Sequence, residues 1–337
     1  MASIALSSAD LTAARSKPSS VRGDTLPCTH SLFQQPWWLD AVAPGAWDAV
    51  TIVKAGKVIG RLPFVRKRLL GLTILTQPLL TQFLGPWVET ADGKPQNRLA
   101  HEHQVLAALV DELPPHDVFL QHCHHSVTNC LAFYWHGFTL SNSYTYVLDE
   151  LNDHDKIWAG LRENIRREIR KAERQVSIRP VEDVGTVIAL NTMTYERQGI
   201  SAPYSTDMVR RLDAACRERG VRRILVAEGA DGIAHAAVYL VWDGTSAYYL
   251  MGGGDPRLRT SGAMSLLMWE AIKFAGQVAR RFDFEGSMLQ PVERFFRAFG
   301  ARQVPYARLT RGATLLGELA LLAYEWRSAR KRRSANG

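Results

Sequence analysis

Apolar residues along this chain alternate with a period of two, then regroup at helical spacing, and the sequence of changes runs twice. Val50–Val53 and Val58–Val65 read as strands joined across Ala55-Gly56-Lys57, a hairpin signal. Leu72–Thr76 reads as a third strand. Leu99, Leu106, Leu109, Val110 and Leu113 fall on one helical face, and Pro114-Pro115 stops that helix. Val118–His122 predicts a strand, Val127–His136 a short helix and Phe138–Leu148 a long strand. The second half opens on a helix from Asp155 to Arg174, whose apolar stripe is Trp158, Leu161, Ile165, Ile169 and Ala172. Helices at Val184–Arg197 and Thr206–Arg219 follow, then strands Arg223–Ala227, Ala234–Trp242 and Ala247–Met251. Turn signals at Gly229–Gly232 and Asp243-Gly244 separate those strands. A helix at 261–279, a strand at 281–285, a helix at 291–299 and a strand at 302–309 complete the pattern.

Both halves therefore read strand-strand-strand-helix-strand-helix-strand, which predicts two similar α/β domains, each a mixed twisted sheet flanked by helices. The expected boundaries are a flexible N-terminal lead over 1–30, a first domain over 31–150, a second over 151–311, and a basic amphipathic helix and tail over 312–337. In that last helix Leu315, Leu316, Leu319, Leu322 and Trp326 lie toward one side.

Hydrophobic residues make up 46% of the 337, enough for two buried cores. The formal charge of +8 is concentrated: Arg162–Arg174 carries six basic and three acidic residues, and Gly312 to the end carries five and two, so each contributes +3 and the rest only +2. Two basic patches on a near-neutral body suit phosphates, nucleic acid or an anionic membrane surface. The four cysteines are scattered, and the small, polar N-terminus lacks an apolar signal segment. A cytoplasmic protein with reduced thiols is expected, peripheral at the inner membrane face if the tail engages lipid. No run of roughly 18 apolar residues is present to span a membrane.

The candidate chemistry centres on Tyr248–Ala301. An apolar strand runs into Gly252, Gly253 and Gly254, a loop carries Arg257 and Arg259, and a helix opens at Ser261-Gly262-Ala263. A glycine-rich turn feeding a helix N-terminus offers free N–H groups and a helix dipole to an anion. Asp283 and Glu285 alternate with Phe282 and Phe284, so both carboxylates are expected on one face of the next strand, where either could take a proton from an attacking amine. Arg166, Arg167, Arg170, Lys171 and Arg174 stand opposite the apolar stripe and read either as a solvated face or as a phosphate track. His122, Cys123, His124, His125 and Cys130 match no standard metal spacing, so no metal is expected; His122 and His124 are instead candidate groove residues.

In order along the chain, Phe33–Trp38 (FQQPWW), Gln77–Trp87 (QPLLTQFLGPW), Thr145–Asp149 with Arg166–Glu173 (TYVLD…RREIRKAE), and Phe282–Ala301 resemble the Fem-like branch of the GNAT acyltransferases, in which two GNAT folds stand in tandem. They also resemble the acetyltransferase domains often found near polysaccharide genes. The resemblance implies direct attack of a substrate amine on an acyl donor. It implies a donor cradle of Met251, Gly252, Gly253, Arg257, Arg259, Ser261, Gly262 and Ala263, with Glu285, Asp283 and Tyr248 as catalytic candidates. Backbone N–H groups near Met251 and Gly252 are candidates for the oxyanion, and Tyr306 for a general acid or a packing residue. Arg166, Arg170, Gln82, His122 and His124 are the substrate-binding candidates. The family's phosphate loop is Q/R-x-x-G-x-G/A; here Arg259–Met264 keeps the Arg and the first Gly and ends in Met, which leaves the donor open. The implied function is an N-acyltransferase using acyl-CoA, most simply acetyl-CoA, as co-substrate, with no tightly bound cofactor. The alternatives are aminoacyl-tRNA-dependent transfer and an inactive glycan-precursor scaffold. The partners expected are a small-molecule or lipid-linked acceptor, tRNA in the second reading, an anionic membrane surface for the tail, and no DNA.

Overall fold

A computed structural model describes residues 12–15, 26–286 and 288–336, so most of the expected N-terminal lead lies outside the described residues. In chain order the elements are β1 (Thr12–Arg15), α1 (Pro36–Val42), β2 (Trp47–Lys54), β3 (Lys57–Leu69), β4 (Leu72–Thr76), β5 (Trp87–Val88), α2 (Pro95–Asp111), β6 (Val118–His122), α3 (Leu131–Trp135) and β7 (Thr139–Asp149). They continue with α4 (His154–Gly160), α5 (Glu163–Ala172), β8 (Val176–Val181), α6 (Gly185–Arg197), α7 (Thr206–Glu218), β9 (Arg222–Gly229), β10 (Ala234–Trp242) and β11 (Ser246–Gly254). The last are α8 (Ala263–Val278), β12 (Arg281–Asp283), α9 (Gln290–Arg297), β13 (Arg302–Gly312) and α10 (Leu315–Asn336). The chain divides into two compact units, residues 1–143 with 305–337, and residues 144–304.

In the first unit the strands run β1-β2-β3-β4-β6-β13, with β5 beside β3. Neighbours are antiparallel except β4 and β6, which pair in parallel from Ile74↔Val118. A parallel neighbour needs a crossover, and α2 supplies it, burying Val105, Leu106, Leu109 and Val110 against the sheet. The two stretches FQQPWW and QPLLTQFLGPW turn out to hold each other. The buried Gln34 amide donates to the Leu84 and Gly85 carbonyls at 2.6 and 3.0 Å, and Trp38 Nε1 donates to Thr81 Oγ1 at 3.0 Å. The Arg61 side chain is buried and donates to the Gln34 carbonyl at 2.7 Å, while burial lowers its pKa to about 10.

The second unit repeats the plan in the order β7-β12-β11-β10-β9-β8, again with one parallel pair, β11 and β12, and a crossover helix, α8. Helices α5 and α8 bury Ile165, Ile169, Leu267 and Ile272 in one core against the sheet.

Four expectations are corrected by the structure. The helix from Asp155 to Arg174 is two helices. The chain turns at Leu161-Arg162, where the Arg162 N–H donates to the Ala298 carbonyl at 2.9 Å and Gly300 closes on the Gly160 carbonyl. The helix at Val127–His136 shortens to Leu131–Trp135: a turn over 124–127, closed by Val127 N–H to His124 O, is followed by irregular chain as far as Cys130. Gly252, Gly253 and Gly254 are not a turn; they remain in β11, opposite Val238, Ala237 and Ala236. Finally β12 stops at Asp283, and Glu285 adopts φ +57°, so the alternation expected to carry both carboxylates does not reach it.

The glycines in β11 have a packing reason. Helix α6 lies so close that a Cβ on Gly253 would collide with the Leu190 carbonyl. Gly253→Ala is therefore expected to destabilise the protein by about 1–3 kcal/mol, the scale of overpacking against backbone. Urea unfolding measures it, and an unchanged midpoint would remove the close approach of α6 from the account.

Candidate functional site

The parallel pairing of β11 and β12 is short: Ser246↔Arg281, Ala247↔Phe282 and Tyr248↔Asp283, after which β12 ends while β11 continues to Gly254. A β-bulge at Leu250 shifts the register against β10, from Leu240↔Tyr249 to Tyr239↔Met251. Beyond this point the edge of β11 faces α6. The Gly252 carbonyl accepts from Asn191 Nδ2 at 2.8 Å, and the Gly254 N–H donates to Thr194 Oγ1 at 3.3 Å. Residues two apart in a strand direct their backbone groups to the same edge, so the Gly252 N–H belongs to this edge too.

Asp283 is the last residue of β12, and Glu285 stands two residues beyond it. Asp283 Oδ1 accepts from Thr145 Oγ1 and from the Glu285 N–H, the latter at 2.8 Å. Its Oδ2 is buried without a partner. Burial pushes the Asp283 carboxyl up to about 6, against the lowering effect of those two donors. Glu285 is half-buried as a residue, but its Oε1 is buried and unpartnered. Burial first, and Asp283 second, raise its carboxyl well above the usual range. Its left-handed backbone is strained for a residue other than glycine, and Gly286 follows at φ +57°, where a Cβ would collide with the Tyr144 carbonyl.

Tyr249 lies near this acid, and Tyr195 and Tyr204 lie near Tyr249. Burial raises the Tyr249 phenol, and Glu285 and Tyr195 raise it further. A Cβ on Gly252 would collide with the Tyr249 hydroxyl, which sets that phenol beside the glycine strand. The Tyr204 hydroxyl donates to Asn191 Oδ1 at 2.8 Å and its ring meets Tyr195 edge-on. A small cavity lined by Ile188, Asn191, Tyr204, Val209 and Met251 adjoins them. Tyr195, Tyr204 and Asn191 carried no signal in the sequence, since each occurs in an ordinary helical or loop pattern. Tyr248 is different: its buried hydroxyl donates to Asp243 Oδ2 at 3.3 Å, at the β10–β11 turn.

The loop before α8 is the candidate cradle. Arg257 is exposed and pairs with Asp255 at 2.6 Å, which holds the Asp255 carboxyl down at about 2. Arg259 is exposed at the head of a 3-10 turn that ends at Ser261. Gly262 caps α8 at φ +78° without a side chain of its own; Ser261 Oγ accepts from the Ala263 N–H and the Gly262 carbonyl from the Ser265 N–H, so two of the first-turn N–H groups have partners. A Cβ at Gly262 would collide with the Glu168 carbonyl of α5, and the Glu168 carboxylate lies alongside. Lys171 donates to the Thr260 carbonyl and pairs with Glu168 at 3.8 Å. Arg166 pairs with Glu163 at 2.8 Å, and Arg170 lies over the Trp158 ring at 5.8 Å. The start of α8 with Arg259 and Lys171 offers positive charge to a diphosphate, with the Glu168 carboxylate beside Gly262 and Asp255 already paired to Arg257.

Gln82, His122 and His124 lie in the first unit. Gln77 links two of them, donating to the Gln82 carbonyl at 3.1 Å and accepting from the His122 N–H at 2.6 Å. His124 bonds Ser126 Oγ at 2.7 Å and stacks on His30 at 5.5 Å between ring centres. Burial lowers His122 and His30 to about 4. Tyr306 packs edge-on against Phe83 and His122.

Residues 159–297 match the family model for the acetyltransferase (GNAT) domain. None of the curated proteins compared matches the chain. Among solved structures, FemX aligns at 13% identity over 82% of this chain and 91% of its own, with a TM-score of 0.61. The C-terminal domain of a lysylphosphatidylglycerol synthetase from Agrobacterium fabrum, itself described as putative, aligns at 12% over 88% and 92%, TM-score 0.53. A tandem GNAT protein from the clavulanic acid biosynthesis pathway aligns at 13% over 83% and 88%, TM-score 0.51. The fold is thus the tandem GNAT fold, and residues 159–297 are a GNAT-type acyltransferase domain.

The raised Asp283 carboxyl carries a stability consequence. Its folded value of about 6 lies above the ordinary 3.8, so the fold binds the proton more tightly than the unfolded chain. Its contribution is full below about pH 4 and is lost as pH rises through about 6. Asp283→Asn stays neutral throughout and keeps an oxygen for Thr145 and Glu285. Its stability relative to wild type is expected to improve between about pH 4 and pH 7.5, as read from denaturant midpoints. A constant difference across that range would mean the carboxyl titrates normally.

Proposed function

We propose that the second unit catalyses N-acylation by direct attack, with Glu285 as general base. The observation that supports it most is the unpartnered, buried Glu285 Oε1, close enough to Tyr249 of β11 to raise its phenol and itself raised in pKa. The acceptor's neutral amine forms a C–N bond to the acyl carbonyl of the donor. The carbonyl oxygen becomes an oxyanion, for which the Gly252 N–H is the candidate donor. Glu285 takes the amine proton, and collapse of the intermediate breaks the bond to the donor's leaving atom. A base must be deprotonated to act, so a raised pKa moves the acid limb of the rate profile upward toward neutrality. Asp283 is the positioning residue, since its oxygen is already committed to Thr145 and to the Glu285 backbone. The phenols of Tyr249 and Tyr204 border the reacting space and stay protonated, because burial raises both.

The donor we assign is acyl-CoA, most simply acetyl-CoA, its diphosphate held by the first turn of α8 with Arg259 and Lys171. The acceptor is a small or lipid-linked amine. The second reading, an aminoacyl-tRNA donor, draws on the exposed Arg167 and Arg170 of α5 and Arg174 in the turn after it; α5 packs against the same loop. Calorimetry with acetyl-CoA and with charged tRNA separates the two, and binding of neither would leave an inactive scaffold.

Glu285→Gln is expected to lower kcat by roughly 10²-fold or more with the fold retained, the usual scale for a lost general base. Steady-state kinetics with any accepted amine tests it, and full turnover in a folded variant would take Glu285 out of the mechanism. In the donor cradle two substitutions should act in opposite directions. Arg259→Ala is expected to raise the donor Kd by roughly tenfold, while Glu168→Gln, which removes the acid beside Gly262, lowers it. If both variants move acceptor KM and leave donor Kd alone, the loop serves the acceptor.

A further inference from the structure

The first unit exposes two apolar elements that no part of the acyl-transfer site uses. The first is the β3–β4 turn. Leu69 pairs with Leu72 across it, and Leu70 and Gly71 form the tip at φ +51° and +82°. Such a turn favours Asn-Gly. Here it holds a leucine that is 94% exposed in a left-handed backbone, next to Leu69 at 59%. Arg66, Lys67 and Arg68, all exposed, lead into it. A large apolar side chain placed where sterics and water both disfavour it calls for an apolar partner.

The second element is α10. Leu315, Leu319, Leu322 and Trp326 recur at helical spacing on one face and are all exposed. That face is not the one that docks. Gly317 packs so closely on the Asp117 carbonyl that a Cβ would collide with it, and Glu325 pairs with Arg308. Arg330 lies over the Trp326 ring at 5.8 Å, Arg327 is exposed, and Lys331, Arg332 and Arg333 follow in the sequence.

Asp117 binds the two elements together. Its Oδ2 accepts from the Thr73 N–H, just past the turn, and its Oδ1 accepts from Thr314 Oγ1, just before α10, both at 2.8 Å. Its backbone does the same, donating to the Thr73 carbonyl and accepting from the Ala313 N–H, again both at 2.8 Å. Strands β4, β6 and β13 are neighbours, so the turn and the start of the helix leave the same end of the sheet about 10 Å apart.

We propose that this end of the first unit is a membrane-seating surface for anionic lipid, in which Leu69 and Leu70 insert beside the leucine–tryptophan face of α10. Charge decides the occupant. Three basic residues precede the turn and five follow the helical stripe, while Glu318 is the acid at the helix start. A second copy of the chain would set these clusters against like charge, whereas anionic headgroups neutralise them. The leucines supply the apolar insertion that basic residues alone lack, and a tryptophan under an arginine suits the headgroup boundary. Among the described residues no helix is long and apolar enough to cross a membrane, so the contact is interfacial.

The test is co-sedimentation of the full chain with vesicles of phosphatidylcholine alone and of phosphatidylcholine with about 30% phosphatidylglycerol. Binding is expected to the anionic vesicles only, and to fall in high salt. Leu70→Asp alters an exposed turn position whose backbone Asp tolerates, and Leu322→Glu an exposed helix position, so both variants should fold. Each is expected to cut the bound fraction roughly tenfold, because each removes one of two coupled insertions. Anionic binding that survives Leu70→Asp unchanged would overturn the shared surface. Absent binding, or a concentration-dependent dimer in sedimentation velocity that Leu322→Glu abolishes, would overturn the lipid assignment.

Discussion

The buried carboxylate of Asp283 governs the shape of the second unit's working end. It receives a hydroxyl from Thr145 on β7 and the N–H of Glu285, so it closes the end of β12 onto its antiparallel neighbour and turns the chain at once. Those two donors favour the ionised form, yet full burial outweighs them and its proton is lost only near pH 6. The turn it enforces puts Glu285 in a left-handed conformation against Gly286, whose hydrogen is all the Tyr144 carbonyl leaves room for. Had β12 continued, Glu285 would sit in a ladder; because it stops, the carboxyl lies where it acts on the Tyr249 phenol of β11.

In the same region burial works against folding. Two carboxylates with unpartnered buried oxygens lie close enough for one to raise the other. Each alone is a cost to folding, and like-charged neighbours separate in affinity for their protons. The glycines of β11 serve the same end by another route. Without side chains, α6 can approach until Asn191 and Thr194 bond the strand's free edge.

In the first unit, burial acts on bases instead. His30 and His122 are pushed down to about 4, so both stay neutral at physiological pH and pack as aromatic rings against His124 and Tyr306. The working asymmetry between the units is therefore one of acidity: neutral imidazoles in the first, raised carboxyls in the second.

Much of the architecture was legible in the chain. Periodicity alone marked the hairpin before Leu72, the crossover helices and the repeated order of elements, because burial of one face repeats in sequence at the period of the element. The glycine–arginine loop and the Asp-Phe-Glu stretch stood out for the same local reason. Periodicity could not show that the helix from Asp155 breaks at Leu161, since the break answers the distant Ala298 and Gly300. Nor could it show that Gly252–Gly254 stay in the strand, which depends on how closely α6 packs, or that Glu285 leaves β12, which depends on Thr145 from another strand. Tyr195, Tyr204 and Asn191 joined the site only through folding, as did the pairing of the Leu70 turn with α10 through Asp117. Sequence carries the forces that act between neighbours along the chain; a buried polar group finds its partner, and acquires its pKa, only where the fold brings remote segments into contact.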